Sequence, residues 1–203
     1  MDTPKASVGA TKTRVLREGA RLLQRHGFGG FSFGDIARRL GLKAPSLYDH
    51  YASKEALGLA LLEDYRGRLE AWMAKSDAHA PARRLELYFD LFGAFAKDRD
   101  LCPVSALCAE HLALPASLRA KTLELLRIQE AWVARALRDG VAVGAFSVRD
   151  PATRARELVA QALGGQAVAR LQSDPHVLRR LGRNAIAALR RPVRRRASPK
   201  ESS

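Results

Sequence analysis

The sequence predicts an all-α protein, and two observations support this prediction. Apolar residues recur at spacings of three and four along most of the 203-residue chain, as they do on one face of a helix. No stretch alternates apolar and polar residues convincingly over the length of a strand. Pro81, Pro103, Pro115 and Pro151 divide the helical pattern into segments. A chain of this length can bury a substantial core without disulfides or a structural metal.

The first predicted helix begins near Thr11, which can serve as its N-cap, and ends at Gly27. Its apolar residues fall on one face, which comprises Val15, Leu16, Gly19, Ala20, Leu22 and Leu23. The loop that follows contains Phe28, Phe31 and Phe33, and we expect these three aromatic side chains to fill the core of a small domain.

Two short helices separated by a glycine come next. Ser32 is the predicted N-cap of a helix from Phe33 to Leu40, and Gly41 ends that helix. The second helix is predicted from Ala44 to Tyr51, with Pro45 in its first turn, where no amide donor is needed. Two helices of about eight residues joined by a tight turn form the helix-turn-helix pattern.

The rest of the chain predicts a larger helical domain. A long helix from about Ser53 to Met73 carries an apolar face of Leu57, Leu61, Tyr65, Leu69 and Trp72. Further helices are expected at about 81–97, 103–113, 116–139, 151–172 and 175–190. We therefore divide the chain into a DNA-binding domain at 1–54, a helical domain at 55–190, and a basic tail at 191–203 that we expect to be disordered.

The formal net charge of +14 is concentrated at the two ends of the chain. Residues 1–54 carry ten Lys and Arg against four Asp and Glu, and residues 179–203 carry nine against one. The segment between them is neutral, with 35 − 10 − 9 = 16 basic and 21 − 4 − 1 = 16 acidic residues. Clustered cations favour a polyanionic partner such as DNA, although a generally basic composition that only maintains solubility is the alternative.

The helix-turn-helix pattern suggests which residues would meet DNA. In such a protein the second helix lies in the major groove, with its first turn nearest the base edges. Here that turn offers Lys43 and Ser46 as hydrogen-bonding groups and Ala44 as a methyl contact to thymine. Leu47 is expected to face inward, and the Tyr51 ring could serve either the core or the DNA. Phosphate contacts are expected from the helix start at Ser32 and from Tyr48, His50, Tyr51 and Lys54.

The stretch from Gly34 to Leu57 resembles the DNA-binding domain of TetR-family (TetR/AcrR-type) transcriptional repressors. Their motif reads Ile-Ala, an apolar-Gly-apolar turn, and Leu-Tyr-x-His-aromatic-x-Ser-Lys-Glu-x-Leu. The chain departs from the family at Lys43 and Pro45, where serine and glycine are common, so the bases that it reads stay open. The matching residues are Ile36, Ala37, Leu40, Gly41, Leu42, Leu47, Tyr48, His50, Tyr51, Ser53, Lys54, Glu55 and Leu57.

This resemblance implies a homodimeric, ligand-responsive repressor that binds a palindromic operator and leaves it when a small-molecule effector binds. It implies no enzymatic activity and no cofactor. The candidate effector-binding residues in the helical domain are Tyr88, Phe92, Cys102, Cys108, His111, Gln129 and Trp132. The last two helices carry apolar faces that could pair with a second copy or serve the chain's own core, and the candidate interface residues are Leu158, Ala162, Gly165, Val177, Leu181 and Ala185.

Cys102 and Cys108 are the chain's two cysteines, and their spacing on a helix would point them about 120° apart, which argues against a disulfide. Cys102 precedes Pro103 at a helix start, where the dipole lowers the pKa of a thiol. The segment LCPVSALCAEH also resembles one in a subgroup of the family, some of whose members respond to reactive electrophiles. An inert, half-buried thiol is the alternative interpretation.

Other functional classes receive little support from the sequence. No uncharged run reaches the roughly 18 apolar residues of a membrane span, and no signal peptide is evident, so we expect a cytoplasmic protein. Cys108 and His111 lack the third group of a thiol enzyme, and the histidines lack metal-ligand spacing. Two hypotheses remain beside the repressor. One is a DNA-coating protein that depends on its basic end, and the other is a small-molecule binder or thiol enzyme that retains the fold.

Overall fold

The predicted all-α fold is confirmed. The computed structural model describes residues 8–190, and this part of the chain contains nine α-helices, one 3₁₀ turn and no strand. The helices are α1 (Val8–His26), α2 (Phe33–Leu40), α3 (Pro45–Tyr48), α4 (Lys54–Ser76), α5 (Pro81–Lys97), α6 (Pro103–Cys108), α7 (Ala116–Ala142), α8 (Pro151–Gln172) and α9 (His176–Leu189), and the 3₁₀ turn is His111–Ala113. The basic tail at 191–203, predicted to be disordered, lies outside the described residues.

Several helix boundaries differ from the prediction, and α4 ends at Ser76 rather than at Met73. The helix α1 begins at Val8 rather than near Thr11, and the predicted helix at 103–113 ends at Cys108. The chain leaves α-helical geometry at Glu110, with φ −102° and ψ 11°, and it resumes as the 3₁₀ turn. The helix α7 continues past residue 139 to Ala142, and the Phe146 ring packs against its backbone at Gly140.

The second helix of the helix-turn-helix is much shorter than predicted. It was expected at 44–51, but α3 covers only Pro45–Tyr48. Ala44 precedes it with no side chain that could cap the free amides. At the other end, the Leu47 carbonyl accepts hydrogen bonds from the amides of both His50 (3.1 Å) and Tyr51 (3.0 Å), so the chain turns out of the helix.

The first three helices form a small domain on one face of α4. Ile36 and Leu47, from α2 and α3, are completely buried, as is Val15 of α1. Gly19 permits the close approach of α4, because a Cβ there would lie 3.3 Å from the Leu61 side chain. We estimate that burying each such leucine or isoleucine stabilises the domain by about 1.5–3 kcal/mol.

The helical domain is built around α5, α7, α8 and α9. The helix α5 packs on α7, α8 and α9, and α8 lies between α7 and α9. Gly182 lets α9 approach Phe89 of α5, since a Cβ there would lie 2.8 Å from that side chain. Gly165 allows a similar approach between α8 and Leu181 of α9.

The six candidate dimer-interface residues face the chain's own core, which is the alternative that the sequence left open. The same side chains of α8 and α9 that make the apolar stripes pack on α5, α7 and each other. All six are buried or half-buried within the single chain, namely Leu158, Ala162, Gly165, Val177, Leu181 and Ala185. The exposed face of α8 instead presents small and apolar residues, namely Ala160, Gly164, Ala167, Val168 and Leu171.

The end of α1 is tied to the helical domain by polar contacts. Arg25 Nε donates to Asp100 Oδ1 (3.0 Å), and its terminal nitrogen donates to the Asp98 carbonyl (2.9 Å). The Leu101 amide donates to the Gln24 carbonyl (3.0 Å). Arg170 of α8 donates to the Arg25 carbonyl (2.6 Å). The first domain is therefore held both by its packing on α4 and by hydrogen bonds to the loop before α6.

Candidate nucleic-acid interface and effector region

The turn between α2 and α3 fixes the orientation of the second helix. Gly41 has φ 66° and ψ 33°, in the left-handed region that favours glycine. Its amide donates to the Arg38 carbonyl (3.4 Å), and the Leu42 amide donates to the Ala37 carbonyl (2.9 Å). These bonds close the end of α2 and reverse the chain. Leu47 then anchors α3 to the core with its opposite side outward.

Four of the predicted DNA-contacting residues lie on α3 or directly before it. Lys43 is exposed, and Ala44 and Ser46 are half-buried beside it. The Ser46 hydroxyl donates to the Lys43 carbonyl (2.7 Å), so its oxygen still has acceptor capacity toward a base. Tyr48 is 58% exposed, and its ring packs against Phe33 with the centroids 4.8 Å apart.

Ser32 is engaged in a capping box at the start of α2. The Asp35 amide donates to Ser32 Oγ (3.2 Å), while the Ser32 amide and hydroxyl both donate to Asp35 Oδ2 (2.8 and 2.7 Å). Hydrogen bonds from Ser32 and the nearby charge of Arg38 lower the pKa of Asp35. The predicted cap is therefore confirmed, but the polar groups of Ser32 already have partners within the chain.

Tyr51 belongs to the core and cannot reach a phosphate in this arrangement. Its side chain is 6% exposed, and its hydroxyl is buried without a hydrogen-bond partner. Burial raises the pKa of Tyr51. The phosphate-contact assignment of Tyr51 is therefore wrong, and the core interpretation is right. Sequence reasoning missed Lys12, whose exposed ammonium lies over the Tyr51 ring at 5.8 Å and so brings a cation of α1 beside the end of α3.

Lys54 and His50 are less available for phosphate contacts than the sequence predicted. Lys54 Nζ lies 4.7 Å from the Phe28 ring centroid and 4.8 Å from that of Phe31, in a cation–π arrangement. Burial lowers the pKa of the Lys54 ammonium, and the charge of Glu110 opposes this effect. His50 is half-buried in the turn after α3. Lys54 therefore joins the loop after α1 to the start of α4.

Five of the seven predicted effector residues meet in the centre of the helical domain. The Tyr88 ring lies 4.8 Å from Phe92 and 6.1 Å from Trp132. The Tyr88 hydroxyl donates to Gln129 Oε1 (2.8 Å), and Gln129 Nε2 is buried with no partner. Trp132 Nε1 donates to Asp77 Oδ1 (2.9 Å). We call these four side chains together with Cys102 the core cluster, and none of them is exposed.

The expectation that Cys102 has a lowered pKa is wrong. The Cys102 thiol does lie at the start of α6, where its Sγ accepts a hydrogen bond from the Ser105 amide (3.3 Å). The side chain is nevertheless completely buried, and burial outweighs that bond and raises the pKa of Cys102 to about 11. The Cys102 amide donates to Gln166 Oε1 (3.1 Å), and Gln166 Nε2 donates to the Phe92 carbonyl (3.2 Å). Cys102 is therefore a structural residue at the junction of α5, α6 and α8.

Cys108 and His111 lie apart from the core cluster. Both are exposed and line a separate cavity of about 260 Å³ at the end of α6 and the first half of α7. We call this cavity the α6–α7 pocket. Its wall is mostly apolar, and the full lining comprises Leu107, Cys108, His111, Leu114, Arg119, Ala120, Thr122, Leu123 and Leu126. The seven predicted effector residues therefore do not form one site.

Residues 8–190 also bear on membrane insertion and metal binding. None of the helices there combines the length and the apolar character that crossing a membrane requires. Nor do three His, Cys, Asp or Glu side chains of this part of the chain lie close enough together to hold a metal ion.

Comparison with known proteins identifies relatives of both domains. Residues 15–61 match the family described as bacterial regulatory proteins, tetR family, and residues 81–185 match the tetracyclin repressor-like C-terminal domain. The HTH-type transcriptional repressor DhaR of Mycobacterium sp. (strain GP1) is 29% identical over 125 residues, which are 60% of this chain and 61% of that protein. The HTH-type transcriptional regulator EthR of Mycolicibacterium smegmatis is 29% identical over 87 residues, which are 39% of this chain and 40% of that protein. The matches thus span less than two thirds of either relative.

Solved structures share the whole architecture. A TetR-family transcriptional regulator from Agrobacterium tumefaciens superposes with a TM-score of 0.85 at 22% identity, covering 89% of this chain and 98% of that one. The reduced form of E. coli NemR superposes with a TM-score of 0.75 at 22% identity, covering 88% and 95%. At this level of identity the likeness concerns the fold.

Proposed function

The chain belongs to the tetR family of bacterial regulatory proteins, and from this premise we propose that it is a homodimeric repressor that binds a palindromic operator and leaves it when a small-molecule effector binds. Members of this family are DNA-binding transcriptional regulators rather than enzymes. Since the operator is chromosomal DNA, we place the protein in the cytoplasm. The two domain assignments, 1–54 for DNA binding and 55–190 for effector binding and dimerisation, are part of the same proposal.

The observation that carries this proposal is the outward side of α3. Leu47 fixes the helix to the core, while Lys43 and Tyr48 are exposed and Ser46 is half-buried around it. Lys43 and Ser46 supply the hydrogen bonds that distinguish bases, with the Ala44 methyl beside them. Tyr48 supplies a hydroxyl for a phosphate oxygen, and its ring packs against the Phe33 ring.

We assign further phosphate contacts to cations around this side. Lys12 is exposed beside the end of α3, and Lys43 stands at its start. Ser32, His50 and Lys54 contribute by holding the helix-turn-helix in place, because their polar groups are engaged or half-buried within the chain. Two such helix-turn-helix domains, related by a two-fold axis, would contact DNA half-sites that lie about one turn of the DNA helix, or a multiple of it, apart.

Dimerisation is assigned to the exposed face of α8 together with α9. Small residues at Ala160, Gly164 and Ala167 permit close approach of a second helix. Val168 is 46% exposed and Leu171 is 87% exposed on the same side. A self-complementary contact of these faces would bury both side chains, and it would fix the distance between the two DNA-binding domains.

Effector control requires two arrangements of the dimer that differ in the distance between its two DNA-binding domains. An effector weakens operator binding only by binding the incompetent arrangement more tightly than the competent one. We place the effector in the helical domain. The core cluster is fully packed, so a ligand there would have to displace helices, whereas the α6–α7 pocket is already open.

The test is selection of operators from a random double-stranded pool by the full chain at physiological salt. A palindromic consensus is expected, and enrichment without a consensus would instead identify a non-specific DNA-coating protein. On the selected operator, Lys43→Ala should reduce base preference at one position by about 1–3 kcal/mol. Tyr48→Phe should weaken binding to specific and scrambled DNA by similar factors. Equal losses from both variants on all sequences would contradict the assignment of Lys43 as a base reader.

A further inference from the structure

The α6–α7 pocket lies next to the contact between the two domains. Its lining combines the apolar side chains of Leu107, Leu123 and Leu126 with the polar side chains of Arg119 and His111. We propose that this pocket binds a small amphipathic carboxylate and that Glu110 transmits its occupancy to the DNA-binding domain. The inference rests on the proposed function, because it names the effector class and its route of action.

The size of the pocket limits the ligand to a small molecule. A volume of about 260 Å³ lies just below the roughly 300–1,000 Å³ typical of pockets for drug-sized ligands. The leucine side chains from the end of α6 and from α7 require an apolar body. Among them Leu123 is 45% exposed, although it is a large apolar residue in the middle of a helix, so a ligand that covered it would remove apolar surface from water.

Arg119 gives the pocket its preference for an anion. One terminal nitrogen of its guanidinium donates to the Leu114 carbonyl (2.8 Å), which fixes the group at the pocket wall. No carboxylate of residues 8–190 lies within ion-pair distance of Arg119, so its other donors are available. The lining contains no acidic side chain, and the exposed His111 adds a ring N–H at the rim. A carboxylate is the simplest planar anion that matches this donor set.

Glu110 connects the α6 wall of the pocket to the loop after α1. It follows Cys108 by two residues, and its Oε2 accepts a hydrogen bond from the Gly29 amide (2.7 Å). Gly27 has φ 76°, and a Cβ there would overlap the Glu110 carboxylate, so the loop is seated closely on this side chain. The same carboxylate influences Lys54, whose ammonium covers Phe28 of the loop. Movement of Glu110 therefore moves the segment that leads into α2.

The α7 wall also reaches the start of α4, where Phe28 of the DNA-binding domain packs. Leu118, directly before Arg119, packs on Gly58 of α4 together with Phe28, because a Cβ at Gly58 would lie 3.1 Å from the Leu118 methyl groups and 2.9 Å from the Phe28 ring. A ligand between α6 and α7 would press on both walls. It would thus change the distance between Glu110 and Leu118, the two side chains that hold the loop after α1 in place.

The first experiment tests the ligand class with the full chain and no DNA. Isothermal titration calorimetry uses benzoate, 3-phenylpropanoate and hexanoate, with their primary amides as uncharged partners. We expect at least one carboxylate to bind at least fivefold more tightly than its amide. Arg119→Gln should weaken this binding at least tenfold. Arg127→Gln is the matched control, because Arg127 is exposed on the same helix outside the pocket lining. Absence of carboxylate binding, or equal effects of the two variants, would overturn the assigned site.

The second experiment tests the route through Glu110 on the selected operator. We expect the bound carboxylate to lower the operator affinity of the wild-type chain, and Glu110→Gln to bind the carboxylate normally but lose most of this response. A response equal to that of the wild type would overturn the coupling route. If the wild-type chain selects no operator, the proposed function fails, while the calorimetry still decides whether the pocket binds carboxylates.

Discussion

The thiol of Cys102 provides the sharpest test of the structure, because the sequence suggested a reactive group and the fold buries it. Burial raises the pKa of Cys102 from an ordinary value of 9.0 to about 11. At pH 8 the thiolate fraction of a group with pKa 11 is about 0.1%, against about 10% for an ordinary thiol of pKa 9. Since the thiolate is the nucleophile, chemistry alone should slow alkylation about 100-fold.

The assay is alkylation by iodoacetamide between pH 7 and pH 10, followed by intact-mass spectrometry. Cys108→Ser leaves Cys102 as the single thiol of the chain, and Cys102→Ser leaves Cys108, which is exposed and serves as the matched comparison. We expect Cys108 to react much faster than Cys102 at pH 8, because Cys108 is exposed, although burial raises the pKa of Cys108 as well. Alkylation of Cys102 at the rate of a free thiol below pH 8 would refute the argument and restore the reactive-thiol hypothesis.

The same shift has a consequence for stability. Because the pKa of Cys102 is raised on folding, the protonated thiol favours the folded state fully below about pH 9 and loses this contribution as the pH rises to about 11. The two-unit shift corresponds to about 3 kcal/mol over that range. Urea unfolding of the wild type should therefore lose more stability between pH 8.5 and 10 than that of Cys102→Ser. An equal loss of unfolding free energy with pH in the wild type and in Cys102→Ser would contradict the raised pKa of Cys102.

Three substitutions test other parts of the fold by urea unfolding. Ser32→Ala should cost about 1 kcal/mol by removing the cap of α2, and an unchanged midpoint would contradict the observed capping box. Gly27→Ala should cost more than Gly144→Ala, since both glycines have positive φ but only Gly27 meets the Glu110 carboxylate; equal costs would refute the seating of the loop. Tyr51→Phe should be neutral or stabilising by up to about 1 kcal/mol and leave operator affinity unchanged, because it removes a buried, unpartnered hydroxyl; a loss of DNA affinity would reinstate its phosphate role.

Local chemistry explains what the sequence could predict. Ser32 and Gly41 bound α2 at the predicted residues, because caps and left-handed turns depend on the residue at one position and its immediate neighbours. Leu47 was expected inside, and it is completely buried. The length of α3 was not predicted correctly. Its end depends on two amides competing for the Leu47 carbonyl, a detail that residue types do not reveal.

Tertiary packing decided which partner each apolar or polar face meets. The stripe that includes Leu158 and Leu178 has the periodicity of a buried face, but periodicity does not distinguish a second copy from the chain's own α5 and α7. Cys102 stands at a helix start, as the sequence indicated. Its pKa nevertheless depends on the helices that cover it, because the desolvation of the thiol raises the pKa by more than the hydrogen bond at the helix start lowers it.

The sequence by itself therefore determined the helical class, the helix-turn-helix and the family, because these follow from spacing and from residues that act on their own neighbours. Only the tertiary structure separated Cys108 and His111 from the core cluster and placed Glu110 on Gly29. Contacts between residues 81 positions apart depend on how whole helices pack, and this packing is set by the sum of many small burial and desolvation energies rather than by any single motif.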